Sequence, residues 1–235
     1  MTMEPVIIRA RDGLDLVCYL SRPRNAQPTE RVPTVLLVHG GPWTRDVWGL
    51  YADHQWLANR GYAVLSVNYR GSTGFGKAFV NAANLEWAGK MHDDLIDAVD
   101  WVVAQEIADP DRVAIMGTSY GGYSALVGLT FTQEKFACAV DLVGPSNLVT
   151  LLNTIPEYWV TWKSLWKVRT GDYTTEAGRR VPGGAFAAQS RRPHRAAAAD
   201  RPGCQRRARQ GLGIRADRRR NAAAPHPGDL CLLSG

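Results

Sequence analysis

The sequence has no run of 18 apolar residues, so nothing in it reads as a membrane-spanning helix. Cysteine is scarce. Cys18, Cys138, Cys204 and Cys231 lie far apart with no C-x-x-C pair, which argues against a disulfide scaffold and a zinc ribbon. Met1-Thr2-Met3-Glu4-Pro5 has neither a basic segment nor an apolar one after it, so no secretory signal is expected and a reducing cytoplasm is the expected setting. No metal or cofactor motif is present, and no metal or cofactor is expected. Lysine is missing from the whole of residues 179–235, although those residues carry 13 Arg.

That last absence changes how the charge is read. The net +6 suggests a nucleic-acid binder until it is divided. Residues 1–178 hold 10 Arg and 5 Lys against 19 acids, net −4, while residues 179–235 hold 13 Arg against 3 acids, net +10. The first part is an ordinary, mildly acidic domain, and the 45 % hydrophobic content of the chain is enough for a core. The second part is rich in Arg, Ala, Gly and Pro, with Phe186 its single aromatic residue. It reads either as a disordered basic arm that binds phosphates or as a stretch never selected as protein.

Val6 to Ala10 and Leu14 to Leu20 flank Asp12-Gly13 and predict a hairpin. Ser21 to Pro33, with three prolines, predicts a surface loop. Thr34 to Val38 and Tyr62 to Val67 are continuous apolar runs, the pattern of strands buried on both faces of a parallel sheet. Trp48 to Asn59 has helical spacing and ends at Gly61. Met91 to Glu106 predicts an amphipathic helix with Leu95, Ala98, Val99, Val102 and Val103 on one face. Strand Arg112–Met116, helix Tyr120–Phe131 and strand Phe136–Val143 follow. Strands alternating with helices predict an α/β fold with a mostly parallel sheet and helices on both faces.

The chemistry concentrates at Gly117-Thr118-Ser119-Tyr120-Gly121, a G-x-S-x-G pattern between a predicted strand and a predicted helix. A nucleophilic serine needs a sharp, strained turn there so that its hydroxyl projects outward, and small residues two before and two after leave room for it. The pattern arises by chance in roughly one in ten chains of this length, so its context matters more than its letters. His39-Gly40-Gly41-Pro42 directly follows strand Thr34–Val38, where α/β-hydrolases place an oxyanion loop. The backbone amides of Gly41 and Tyr120 are the expected oxyanion donors, Ser119 is the expected nucleophile, and His39 reads as a loop-packing residue.

Together with Arg11-Asp12-Gly13-Leu14 and Asn68-Tyr69-Arg70-Gly71-Ser72-Thr73-Gly74-Phe75-Gly76, these motifs resemble the catalytic domain of the prolyl oligopeptidase family over about residues 4–180. The family comprises serine peptidases of the acylaminoacyl-peptidase and dipeptidyl-peptidase type. The resemblance implies an α/β-hydrolase fold and acyl-enzyme cleavage of short peptides. A carboxylesterase acting on small esters is the alternative within the same chemistry, and a polyanion binder built on the basic tail is the alternative outside it. Family members usually carry a β-propeller before this domain, and this chain is expected to lack it. Trp43, Arg70, Tyr123 and Trp159 are the candidate residues of the substrate pocket, with Arg70 open between a substrate carbonyl and an internal acid. No membrane partner and no specific nucleic acid are expected.

The family's catalytic Asp, in a QG-x-x-D segment, and its His, in DEGH, have no counterpart after Ser119. Asp217 and His226 stand in the right order but outside any strand–loop context. Freely chosen synonymous codons for residues 181–235, read from the second base of the Val181 codon, permit a family-like sequence containing PLLIGQGANDARV and VTYVFY. The family's Asp then spans the codons of Arg206 and Arg207. Residues 1–180 are therefore expected to be a partial hydrolase domain and 181–235 an out-of-frame, disordered tail. Strand Phe136–Val143 would then be an open apolar edge that invites self-association.

Three further groups have plain readings. Asp93, Asp94, Asp97 and Asp100 are expected to form a solvated helix face, with His92 a surface residue beside them, and Cys138 is expected to be a small buried hydrophobe. Trp159, Trp162 and Trp166 fall at helical spacing, as a core or lid stripe or as an aromatic wall of the acyl pocket.

Overall fold

The computed structural model describes residues 2–27, 29–155, 158, 160–172 and 174–176, with the backbone alone for 160–163. Six strands form one sheet: β1 (Met3–Arg9), β2 (Asp15–Ser21), β3 (Val32–Val38), β4 (Ala63–Val67), β5 (Ala108–Thr118) and β6 (Cys138–Leu142). Their order is β1-β2-β4-β3-β5-β6. β1 pairs antiparallel with β2, and β2 with β4, while β4, β3, β5 and β6 run parallel. The helices are α1 (Ala52–Ala58), α2 (Lys77–Asn81), α3 (Lys90–Ala104), α4 (Tyr120–Phe131), α5 (Leu148–Asn153) and α6 (Val160–Thr170). No helix among the described residues is long and apolar enough to cross a membrane.

Side chains alternate across a strand, so a central strand must be apolar on both sides. In β3, Val35 and Leu37 pack with Leu57 and Ala58 of α1 and with Val64. Leu36 and Val38 face the other way, into the larger core with Leu95, Val99 and Val102 of α3 and Ala125 and Val127 of α4. Each large apolar side chain taken fully out of water contributes about 1.5–3 kcal/mol. Burial of these two layers therefore outweighs any local propensity.

Several expectations need correction. Gly49 takes φ 144° and Trp48 donates its indole N–H to the Met3 carbonyl (2.8 Å), so the helix begins at Ala52 rather than Trp48. Asp94 is not on a solvated face: it is fully buried beneath Arg70, whereas Asp93 and Asp97 bind Arg11 at the hairpin turn. His92 is buried and its Nε2 meets Thr132 Oγ1 at 2.9 Å, because α3 turns that side toward the end of α4. Cys138 is only half-buried, since β6 has a neighbour on one side alone among the described strands. Helices α2 and α5 were not expected, being too short to show a period.

Candidate active site

Strand β5 ends at Thr118, helix α4 begins at Tyr120, and Ser119 is the single residue between them. Its backbone sits at φ 58° and ψ −113°, a sparsely populated conformation that costs a non-glycine residue about 1–3 kcal/mol. Such strain persists only where the surroundings enforce it. Here the Ser119 N–H donates to the Leu142 carbonyl (2.9 Å) at the end of β6, and the Ser119 carbonyl accepts from Tyr123 N–H (3.0 Å). The flanking glycines are required by contact. A Cβ on Gly117 would lie 2.4 Å from the Gly121 carbonyl carbon, and one on Gly121 would lie 2.1 Å from the Val38 carbonyl oxygen. Helix α4 thus lies directly on the end of β3, and the turn has no slack. The outcome is an exposed Ser119 whose Oγ makes no hydrogen bond among the described residues.

The His39–Pro42 loop runs alongside. A Cβ on Gly40 would lie 3.0 Å from the Thr118 carbonyl and 3.5 Å from Ser119 Cβ. The loop therefore passes Ser119 at van der Waals distance. The amide of Tyr120 opens helix α4, where N–H groups are unsatisfied and the helix dipole favours negative charge.

His39 makes its ring contacts with residues other than Ser119. Its ring stacks on Tyr69 (centroids 4.4 Å apart), Nδ1 meets the Gly40 carbonyl at 2.7 Å, and Nε2 meets Ser72 Oγ at 3.0 Å. Burial pulls its pKa down to about 4. His54, clasped between Ser21 and Ser66, and buried His92 are likewise pulled down to about 4. All three described histidines are neutral at pH 7 and none bonds to Ser119. Asp217 and His226 lie outside the described residues, as does Trp159.

Of the candidate pocket residues, two are closed to substrate. The Arg70 guanidinium is buried and takes the internal-acid alternative: Nη2 reaches Asp94 at 2.7 Å and Nη1 reaches Asp12 at 2.8 Å. It ties the hairpin turn to α3 beneath the loop after β4. Tyr123 is 3 % exposed, packed against Trp87 and Tyr120, because it lies one turn into α4 on the core side. Trp43 remains half-buried at the surface, with Trp87 and Trp166 beside it (centroids 6.4 and 5.1 Å). The tryptophan stripe is thus represented among the described side chains by Trp166, which packs as part of a core. Trp87, at the centre of that cluster, carried no periodic signal in the sequence. The same holds for Asp46, five residues beyond Gly41, whose buried Oδ2 has no hydrogen-bond partner. No group of three metal-ligating side chains occurs among the described residues.

Comparison with known proteins follows the same outline. The model of the prolyl oligopeptidase family matches residues 48–177. Dipeptidyl aminopeptidase BIII of Pseudoxanthomonas mexicana is 60 % identical over 182 residues, which is 75 % of this chain and 26 % of that protein. The acylamino-acid-releasing enzyme of Sus scrofa is 39 % identical over 134 residues, 54 % of this chain and 18 % of the enzyme. Among solved structures, a puromycin-hydrolyzing peptidase of Mycobacterium tuberculosis aligns with a TM-score of 0.68 and 29 % identity over 75 % of this chain and 27 % of its own. An acylaminoacyl peptidase in complex with Z-Gly-Gly-Phe-chloromethyl ketone aligns with a TM-score of 0.67 and 26 % identity over 78 % and 30 %. The sheet order described above is therefore that of an α/β-hydrolase. The chain spans about a quarter of the length of the curated relatives it matches first.

Proposed function

From a chain that belongs to the prolyl oligopeptidase family, we propose the nucleophile-bearing part of a serine peptidase that acts on short peptides. Ser119 Oγ attacks the scissile carbonyl, and the amides of Gly41 and Tyr120 receive the oxyanion. The C–N bond breaks, the leaving amine takes the proton given up by the hydroxyl, and water hydrolyses the resulting ester. The single observation that carries this reading is the strained, exposed Ser119 on a turn whose glycines cannot be replaced. The chloromethyl ketone in one similar structure is built on a peptide, which supports a peptide substrate.

The reading includes a crippled active site in the chain as written. Proton transfer needs a base at Ser119 Oγ, and the three described histidines are engaged elsewhere. Residues 181–235 are read as out-of-frame translation, a proposal supported by the change from net −4 to net +10 near residue 178 and by a family match that stops at residue 177. The sheet edge at β6, paired only with β5 among the described strands, supports a tendency to self-associate. A cytoplasmic setting is part of the same reading, supported by the absence of a secretory signal pattern at residues 1–20.

The test is a panel of peptide p-nitroanilides and p-nitrophenyl esters, run on the chain as written and on a frame-restored version. Turnover by the restored protein, lost in Ser119→Ala and slower by orders of magnitude in the chain as written, is the expected result. Preference for esters over peptides would favour the carboxylesterase alternative. Full activity in the chain as written would overturn the frame reading, as would DNA across codons 175–236 that shows no one-base shift relative to close relatives.

A further inference from the structure

Five of the ten arginines whose side chains are described meet an acid: Arg9, Arg11, Arg31, Arg70 and Arg112 each pair with a carboxylate. The two that border the loop carrying Gly41 do not. Arg169, in the last turn of α6, lies over the ring of Trp43, its guanidinium carbon 4.7 Å from the ring centroid. Its backbone is fixed by the Leu85 N–H, which donates to its carbonyl at 2.7 Å. Its head group has no acidic partner among the described residues, and partial burial lowers its pKa. Arg45 is two residues beyond Trp43. Its guanidinium lies so close over Gly74 that a Cβ there would meet Nη1, and Thr73 N–H donates to the Thr44 carbonyl (2.8 Å) to hold the two loops together. It too has no acidic partner among the described residues.

Two guanidiniums beside the loop carrying Gly41, one of them held over Trp43, have no acidic partner among the described residues and leave charge-assisted donors open to an anion. We propose that Arg169, supported by Arg45, forms a carboxylate-receiving subsite of the peptide site and selects substrates carrying a free C-terminal carboxylate or an acidic side chain. The inference rests on the serine-peptidase reading and adds a substrate class to it. A guanidinium over an indole ring suits Arg rather than Lys, because a planar cation can lie on the ring and still offer several N–H donors, where an ammonium is a point charge. Helix-end charge compensation would be met equally well by lysine and would leave peptide choice untouched.

Binding is followed by intrinsic tryptophan fluorescence, with Trp43→Phe separating the contribution of Trp43 from that of the other seven tryptophans. The full chain is titrated at low salt with three N-acetylated tripeptides: Ala-Ala-Ala with a free carboxylate, its amide, and Ala-Glu-Ala amide. Both carboxylate-bearing classes, or one of them, should bind about tenfold tighter than the neutral amide, the effect of roughly one charge-assisted hydrogen bond. Which of the two does so identifies the source of the anion. The advantage should fall toward one in Arg169→Gln, fall in part in Arg169→Lys and Arg45→Gln, and shrink at about 0.5 M salt. Arg9→Gln, on the far hairpin, should leave it unchanged. If near-UV circular dichroism shows Arg169→Gln unfolded, Arg45→Gln and the salt series decide. Equal binding of all three peptides, or a full advantage retained in Arg45→Gln and at high salt, overturns the subsite and leaves the peptidase reading intact. Absence of any peptide binding overturns the subsite, while turnover by the frame-restored protein decides the peptidase reading separately.

Discussion

Replacing Asp46 by Asn should stabilise the protein at mildly alkaline pH, by an amount the structure fixes. Asp46 is pinned to Asn68 through its backbone, N–H to Asn68 Oδ1 at 2.8 Å and carbonyl from Asn68 Nδ2 at 3.3 Å. The carboxyl is thereby held in a narrow cavity with Met3, Tyr19, Val47, Tyr51, His54 and Ser66. Nothing there is cationic, since His54 is itself kept neutral with a pKa near 4. Burial pushes the Asp46 pKa from 3.8 up to about 7. At 1.36 kcal/mol per pH unit, ionising it in place costs about 4 kcal/mol relative to the unfolded chain. The folded state holds this proton more tightly than the unfolded state, so the favourable contribution is complete below pH 3.8 and is lost as pH rises through 7. Between pH 5.5 and 8 the group accounts for about 2 kcal/mol of lost stability. For a domain of this size that is roughly 4–8 °C in Tm. Asp46→Asn keeps the shape and removes the charge, so it should hold its Tm over that interval. Thermal unfolding followed by circular dichroism at pH 5.5 and pH 8, on both proteins, measures the difference. An Asn variant that loses as much stability as the parent, or is the less stable of the two at pH 8, would refute the reasoning.

Arg70→Met should destabilise by about 3–5 kcal/mol in urea unfolding, because it leaves the Asp94 charge buried without its partner. The Arg70 guanidinium beside Asp12 lowers that carboxyl to about 2, so its contribution is present above the ordinary carboxylate range and should disappear as pH falls from about 4 to 2. Gly121→Ala should cost several kcal/mol and abolish any reaction of Ser119 with an acylating probe, because the new Cβ meets the Val38 carbonyl. Ser119→Gly should raise stability by about 1 kcal/mol through relief of the positive φ, while Ser119→Ala should not, which thermal unfolding of the two variants distinguishes.

The parts of the fold visible in the sequence were those whose burial forces a pattern. Strand β3 is apolar on both faces because α1 and α3 cover opposite sides, and the α3 stripe repeats because it lies flat on the sheet. The Ser119 turn was visible because contact with β3 excludes a Cβ at Gly121. What stayed hidden depends on contacts between distant segments. Asp94 shares its helix with Asp93 and Asp97, and only the arrival of Arg70 from the loop after β4 makes it a buried residue. Trp87 belongs to no period, and only folding brings it against Trp43, Tyr120 and Trp166. Tyr123 was misplaced for a related reason. A glycine-rich motif marks the turn, but it does not say which side of α4 meets the core.

The site divides into a part that positions the nucleophile and a part that would deprotonate it, and the two make different demands on the chain. Positioning uses only short-range steric facts: the end of β3, the last residues of β5, the first turn of α4 and the Leu142 carbonyl. Every one of those atoms lies before residue 143, inside a sheet whose central strands are covered on both faces. Deprotonation instead needs a base at Ser119 Oγ, which none of the described histidines provides, and the proposed reading places it and its orienting acid after β6. On the proposed reading, a change confined to the residues after 180 leaves the strained Ser119 turn in place while removing the base. The consequence is separable by experiment: removal of residues 181–235 should leave the unfolding behaviour and any residual Ser119 acylation nearly unchanged. A large loss of either would place part of the site's support in the tail and contradict this division.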